Sequence, residues 1–209
     1  VVFQYAALNG KSKVMLPDGS YVWLAPHSEI AYTNVFNPTN REIVVKGKAY
    51  LEVQKDSIHP FIVKVDQSVI KVYGTSFNIN DMSQSLSVSL LSGKISFQSD
   101  EDATPVYVKP GQSLTLDKFT RDVIVEDADV NFEALWAQDK LKVEEMSLGD
   151  VVKYLNQWYD AEITLSPELQ GHYKYTFTIT TEQLDEILRM MARINPMEIT
   201  YDKKKVTIK

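Results

Sequence analysis

No cysteine occurs anywhere in the chain. Its absence removes disulfides, thiolate nucleophiles and cysteine-based zinc sites together. It does not identify the compartment, because a cysteine-free chain folds in reducing and oxidising surroundings alike. No apolar run approaches the ~18 residues that a helical membrane span needs. Basic residues are in the minority: 22 Lys and Arg stand against 28 Asp and Glu, a formal net charge of −6. Phosphate recognition needs a basic footprint, so no nucleic-acid partner is expected. Histidine is scarce as well. His27, His59 and His172 lie far apart, each beside a turn and without the i, i+4 partner of a metal site. No metal and no other cofactor is expected. The Walker loop, the Gly-x-Gly-x-x-Gly turn and the Gly-x-Ser-x-Gly elbow are missing too, so neither a nucleotide cradle nor a serine nucleophile is set up.

What remains is an ordinary globular composition, 44% hydrophobic and 24% charged over 209 residues. That length fits one large domain or two modest ones. The chain opens on Val1 rather than Met. It reads as a processed product or a trimmed piece whose signal peptide or anchor lay upstream.

Residues 13 to about 126 read as short strands. The candidates are 13–16, 20–24, 29–32, 42–46, 49–53, 61–65, 69–73, 76–80, 86–91, 94–98, 106–109, 113–117 and 123–126. They are rich in Val, Ile, Tyr, Phe and Thr, which suit a pleated, half-buried surface. Pro17-Asp18-Gly19, Lys46-Gly47, Tyr73-Gly74, Ser92-Gly93 and Pro110-Gly111 punctuate them. Phe61, Val63 and Val65 alternate onto one face, as do Leu86, Val88 and Leu90. The spacing fits a sandwich, a barrel or a solenoid of short strands, and periodicity does not choose among them; a sandwich or a solenoid is expected.

The acidic run at 127–131 breaks this pattern, and 127–137 reads as a linker between an all-β domain (1–126) and an α+β domain (138–209). Residues 141–143 form a short strand. Ser147 and Asp150 resemble a capping box for a helix over 148–159 with a stripe of Leu148, Val151, Val152 and Leu155. A strand at 162–165 follows. The unit then repeats: a strand over 173–179, a helix capped by Thr180 with Gln183 and striped by Leu184, Ile187, Leu188, Met191 and Ile194, then strands 198–201 and 205–208 joined over Asp202-Lys203-Lys204. The result is βαβ followed by βαββ.

Chemistry is sparse. The acid clusters Asp100-Glu101-Asp102, Asp127 with Asp129, and Glu144-Glu145 sit in polar turns rather than the buried setting that a glycosidase carboxylate pair requires. Aromatics are abundant, with 11 Tyr, 8 Phe and 3 Trp, and could offer a sugar-stacking or protein-binding surface. Trp136 and Trp158 read as packing residues. A secreted β-sandwich carbohydrate-binding module is one reading of this content; a glycoside hydrolase is a more distant one.

Six ordered blocks carry a resemblance to a known family. Leu16-Pro17-Asp18-Gly19-Ser20-Tyr21-Val22-Trp23-Leu24 with Ser28-Glu29-Ile30-Ala31-Tyr32 resembles the opening of the FecR family, periplasmic regulators of iron-uptake-type sigma factors. Arg41 to Val53, Pro60-Phe61-Ile62-Val63, Val72-Tyr73-Gly74-Thr75-Ser76-Phe77-Asn78-Ile79, Val88 to Ile95, and Pro110-Gly111-Gln112 continue the match in order. Residues 136–209 resemble the C-terminal domain of Bacteroidetes FecR-like proteins, similar to the short secretin/TonB N-terminal signalling fold. Ala25 stands where Asn is usual, and Lys48 and Ser92 where Glu is usual; each is expected to be a surface-compatible change at a turn.

The resemblance implies a non-enzymatic relay. An outer-membrane TonB-dependent transporter would present its signalling domain to this chain. The signal would pass through an inner-membrane span to an extracytoplasmic-function sigma factor. The span and the sigma-binding segment are absent from the sequence, which would be the periplasmic portion. Physically, a partner strand could add to an exposed sheet edge. The candidate edges are 173–179 and 205–208, with Tyr173, Lys174, Tyr175, Thr176, Thr178, Lys205 and Thr207 as the contact residues.

Overall fold

The structure is a computed structural model that describes all residues except Asn9, Pro38, Lys203 and Lys204. The expected Asp202-Lys203-Lys204 turn therefore lies largely outside the described residues. The chain divides into two compact units, Val1–Ala137 and Gln138–Lys209.

The first unit begins with β1 (Val2–Ala7), β2 (Ser12–Met15), β3 (Tyr21–Leu24), β4 (Ser28–Thr33) and β5 (Arg41–Lys46). It continues with β6 (Lys48–Glu52), β7 (Phe61–Val65), β8 (Ser68–Val72), β9 (Ser76–Asn80) and β10 (Ser85–Ser92). It closes with β11 (Ile95–Gln98), β12 (Val106–Val108), β13 (Gln112–Asp117), β14 (Val123–Asp127), the short α1 (Val130–Glu133) and a 3-10 turn at Leu135–Ala137.

These strands form two seven-stranded sheets, ordered β1-β4-β5-β7-β8-β11-β12 and β14-β13-β10-β9-β6-β3-β2. One apolar core draws on both: Ile30, Ile43, Phe61 and Phe97 from the first, Leu24, Leu51, Phe77 and Leu114 from the second. The unit is a sandwich. Within each sheet the spatial order is also the chain order, because the chain crosses repeatedly between the sheets as it advances. The sandwich thus has the one-directional growth of a solenoid; of the three architectures left open by the turn spacing, the two sheets are not closed into a barrel.

Most pairs are antiparallel; β5 and β7 are parallel, with Ile43 opposite Val63. Burial alternates along β5 and β7 as the sequence pattern demands. Gly47 holds φ +84°, and a Cβ there would come within 2.6 Å of Ser28 Oγ. That hydroxyl accepts the Lys48 amide at 2.8 Å, so the turn needs glycine both for its φ and for room.

Residues 127–137, expected as a linker, belong to the first unit. Asp129 caps α1 by accepting from the Phe132 amide at 3.1 Å. Behind it, Ala134, Trp136 and Ala137 pack on Trp23, Ala25 and Tyr50 as a second buried cluster. They cover a transverse row on the outer face of the second sheet, where Trp23, Tyr50, Asn78, Ser89 and Ser113 are successive cross-strand partners. Trp136 Nε1 donates to Asn78 Oδ1 at 2.9 Å, and Glu133 accepts from the Ser89 hydroxyl. The acidic start of the segment is a helix cap, and the apolar residues after it form a strap. Two of the three family departures lie here. Ala25 is buried, and Lys48 is only 4% exposed with its ammonium 5.2 Å from the Trp136 ring centre. They are packing changes under the strap, whereas Ser92 alone is exposed as expected.

The second unit comprises β15 (Leu141–Ser147), α2 (Leu148–Tyr159), β16 (Glu162–Leu165), a 3-10 turn (Pro167–Leu169), β17 (Lys174–Ile179), α3 (Leu184–Ile194), β18 (Ile199–Asp202) and β19 (Lys205–Ile208). Two small sheets result, β15-β17 and β16-β19-β18. Ser147 Oγ accepts the Asp150 amide at 3.2 Å and caps α2 as the sequence indicates. At α3 the cap is Gln183, whose amide donates to Glu186 Oε2 at 2.9 Å. Thr180 is instead held by Glu182, which accepts its amide at 2.7 Å. The expected Thr180 cap is one turn of chain too early.

Candidate partner-binding edge

Strand β17 is fixed from one side only. Its partner β15 is antiparallel, with Leu141 opposite Ile179, Val143 opposite Phe177, and Ser147 opposite Lys174. Among the described residues no strand pairs with the other edge of β17. Alternation sets its faces: Tyr175 and Ile179 are buried while Lys174, Thr176 and Thr178 are exposed.

The predicted contact residues separate on this geometry. Tyr173 precedes the strand, half-buried, and its carbonyl accepts the Leu148 amide at 3.0 Å. Tyr175 is 3% exposed, and burial raises its hydroxyl pKa; it is a core residue, not a contact. Thr176 Oγ1 accepts the Glu145 amide at 3.0 Å and donates to Glu145 Oε1 at 3.2 Å. That pair holds a bulge between Val143 and Met146, where Glu145 adopts φ +50°. Lys174 and Thr178 remain as outward-facing groups.

The second candidate edge is overturned. β19 is the middle strand of its sheet, parallel to β16 and antiparallel to β18, so its backbone is occupied on both sides. Its alternation is the same as that of an edge strand, because burial of one face says nothing about lateral neighbours. Lys205 and Thr207 lie on the outer face. Lys205 Nζ is 3.3 Å from Glu162 Oε2. Thr207 meets Thr164 at 3.2 Å between hydroxyls, and Thr200 is its other cross-strand neighbour. This threonine row is a flat polar face, separate from the β15-β17 sheet. The single-strand pattern could not reveal it; it depends on a parallel pairing across some forty residues.

The other edges of the second unit are less suited to accept a strand. β15 is bulged and carries Lys142, Glu144 and Glu145, and β16 and β18 have four residues each. Long, unbulged edges with little charge favour strand addition, and β17 is the six-residue segment of that kind. Nearby, Tyr159 donates to the Glu182 carbonyl at 2.6 Å. Burial, together with Glu182, Glu186 and Asp185, pushes its pKa up to about 12.

In the first unit the opening motif forms a buried polar node rather than a binding site. The Arg41 guanidinium is 3.3 Å from Asp18 Oδ2, with side chains only 1% and 2% exposed. It also donates to the carbonyls of Gln54, at 2.8 Å, and His59. Asp18 accepts the Ser20 amide and hydroxyl at 3.0 and 2.8 Å, and Ser20 Oγ accepts the Gln54 amide at 3.0 Å. Beside it, Asp56 accepts the His59 and Ile58 amides at 3.0 and 2.8 Å and the His59 ring at 2.8 Å. Those bonds hold its carboxyl well below the usual range, the His59 amide first. His27, His59 and His172 are not brought together, and among the described residues no three His, Asp or Glu are grouped to hold a metal. One concavity, about 260 Å³, is lined by Lys64, Asp66 and Glu101 without an aromatic, and another, about 150 Å³, has Tyr32 and Phe36 in its wall.

These features define a class: a β-sandwich unit followed by a split βαβ–βαββ unit with an open strand edge at β17. The chain belongs to the FecR family, whose members are regulators of sigma factors. The family described as FecR protein matches residues 5–96, and FecR, C-terminal, matches residues 140–208. No curated protein matches the sequence significantly. Two crystal structures of a candidate anti-sigma factor from Parabacteroides distasonis ATCC 8503, at 2.50 and 1.65 Å resolution, share the fold with a TM-score of 0.65 and 21% identity. The first match covers 100% of this chain and 98% of the other, the second 99% and 98%. At that identity the likeness is one of fold. No helix among the described residues is long and apolar enough to cross a membrane.

Proposed function

We propose that this chain is the periplasmic part of a membrane-anchored, non-enzymatic anti-sigma factor. It receives a signal from an outer-membrane TonB-dependent transporter and relays it to an extracytoplasmic-function sigma factor. Family membership over both units supports the regulatory role, as does the fold shared with a candidate anti-sigma factor. The observation that carries the contact itself is the open, unbulged edge of β17.

In this reading the second unit is a signalling-type domain related to the short secretin/TonB N-terminal fold. The transporter's signalling domain adds a strand to β17, main-chain hydrogen bonds supply the affinity, and Lys174 and Thr178 supply side-chain selectivity. The sigma factor and the inner membrane are met by parts of the protein outside this sequence.

The test is isothermal titration of the chain against the isolated signalling domain of the transporter encoded beside it. Saturable micromolar binding is expected, weakened at least tenfold by Lys174→Glu with Thr178→Glu. Silence between two folded proteins overturns the relay. Binding that the double substitution leaves intact overturns β17 as its site.

A further inference from the structure

The sandwich has four lateral edges, and three of them are blunted. β12 has three residues and runs into Lys109-Pro110. β14 ends in Glu126 and Asp127. β2 has four residues and carries Lys13. Shortness, charge and proline are the devices by which folded proteins prevent unwanted strand pairing. β1 has none of them. It is six residues long, has no charged side chain from Val1 to Gly10, and among the described residues pairs only with β4.

Its side chains are also unusually open for apolar groups. Val2 is 65%, Phe3 43% and Tyr5 41% exposed. Phe3 and Tyr5 share the core-side parity of Ala7, which is buried in the main core. Both lie against Tyr32, with ring centres 5.5 and 6.1 Å away. Tyr32 in turn lies 5.2 Å from Phe36. The core therefore reaches this end of the sheet and stops at half-covered aromatics.

We propose that β1 pairs with β1 of a second copy of this chain, antiparallel about a twofold axis through Gln4. The register follows from the faces. Opposite residues in an antiparallel pair share a face, so core-side residues must meet core-side residues. Among registers that satisfy this, those centred on Gln4 and on Tyr5 pair the same number of β1 residues, and only the one centred on Gln4 spares Gln4 an apolar partner. It sets Val1 opposite Ala7, Val2 opposite Ala6 and Phe3 opposite Tyr5, each pair occurring twice by symmetry. Every pair off the axis is apolar, and the aromatic pairs are of the kind that stabilises neighbouring strands. The first sheet becomes continuous across both copies, and the half-covered aromatics gain cover. This inference is independent of the β17 reading.

The absence of cysteine makes a clean test. At the axis the two Gln4 Cα atoms would lie about 4.5–5.5 Å apart, within the ~4.4–6.8 Å span of a disulfide. Under mild oxidation Gln4→Cys is expected to cross-link at least tenfold faster than Ser57→Cys, an exposed loop control. Light scattering of the unmodified chain is expected to rise with concentration from 23.8 kDa towards twice that mass. Phe3→Lys with Tyr5→Lys, both at exposed positions, is expected to abolish the rise while leaving the far-ultraviolet dichroism unchanged. A mass that stays at one copy up to millimolar protein, or Gln4→Cys linking no faster than the control, overturns the proposal. Cross-linking that instead peaks at Tyr5→Cys, Ala6→Cys or Val2→Cys overturns the register.

Discussion

The two units reach order by different routes. In the first, two seven-stranded sheets close on a continuous core in which Phe61, Phe77 and Phe97 have no exposed surface. In the second, the sheets have only two and three strands, and the buried apolar residues, among them Val143, Val151, Leu155, Ile179, Leu188 and Ile208, are fewer. Small units bury a smaller fraction of their chain surface and have less stability in reserve. The large unit can hold a buried ion pair and a covered aromatic row on its sheets. The small unit leaves β17 open on one side. The contrast is between a unit with much buried surface in reserve and one with little, and it can be attacked from either side.

The largest effect is expected at the Arg41 node. Removing one member of a buried pair leaves its partner's charge without compensation, typically a loss of ~3–5 kcal/mol. Arg41→Ala should lower the urea midpoint of the first unit accordingly, because among the described residues Asp18 then keeps its two bonds from Ser20 and no cation. A loss below ~1 kcal/mol would mean that water reaches the turn, contradicting its burial.

Next comes the strap. Trp136→Ala should cost about 3 kcal/mol, as for other buried aromatic truncations. Trp136→Phe should cost about 1, for the lost bond to Asn78. A linker would give neither. If both substitutions are silent in denaturant unfolding, the first unit ends before residue 130 and the packing at Ala134–Ala137 contributes nothing.

Legibility in the sequence follows the same division. Strands whose burial alternates, such as β5, β7 and β8, are readable within a residue or two, because the pattern that marks them is the one that buries them. β1 is not, since only Ala7 of its six residues is buried and its apolar side chains do not alternate with polar ones. The strap is hidden by its acidic opening, where Asp129 serves as a cap. Lys48 reads as a surface lysine beside a turn, and only the returning segment buries it. For the candidate site, the faces of β17 are legible but its open edge is not. The same alternation describes β19, which is enclosed on both sides. Lateral neighbours are a property of the whole chain.

The smallest effect tests the small unit where its sequence is plainest. Ser147 closes β15 and caps α2, accepting the Asp150 amide at 3.2 Å and donating to its carboxylate at 2.7 Å. It also stands opposite Lys174, the first residue of β17. Ser147→Ala should cost about 1 kcal/mol, the usual worth of a helix cap. That is a minor change for the sandwich, but for a unit with a thin core it is a sizeable part of the whole. Hydrogen exchange resolves the two, with faster exchange expected through α2 and β17 and unchanged protection in β7 and β9. Acceleration confined to the first turn of α2 would show that the small unit is held more firmly than its core implies. The open edge of β17 would then be a feature of a rigid body, and the distinction between the units would be one of size alone.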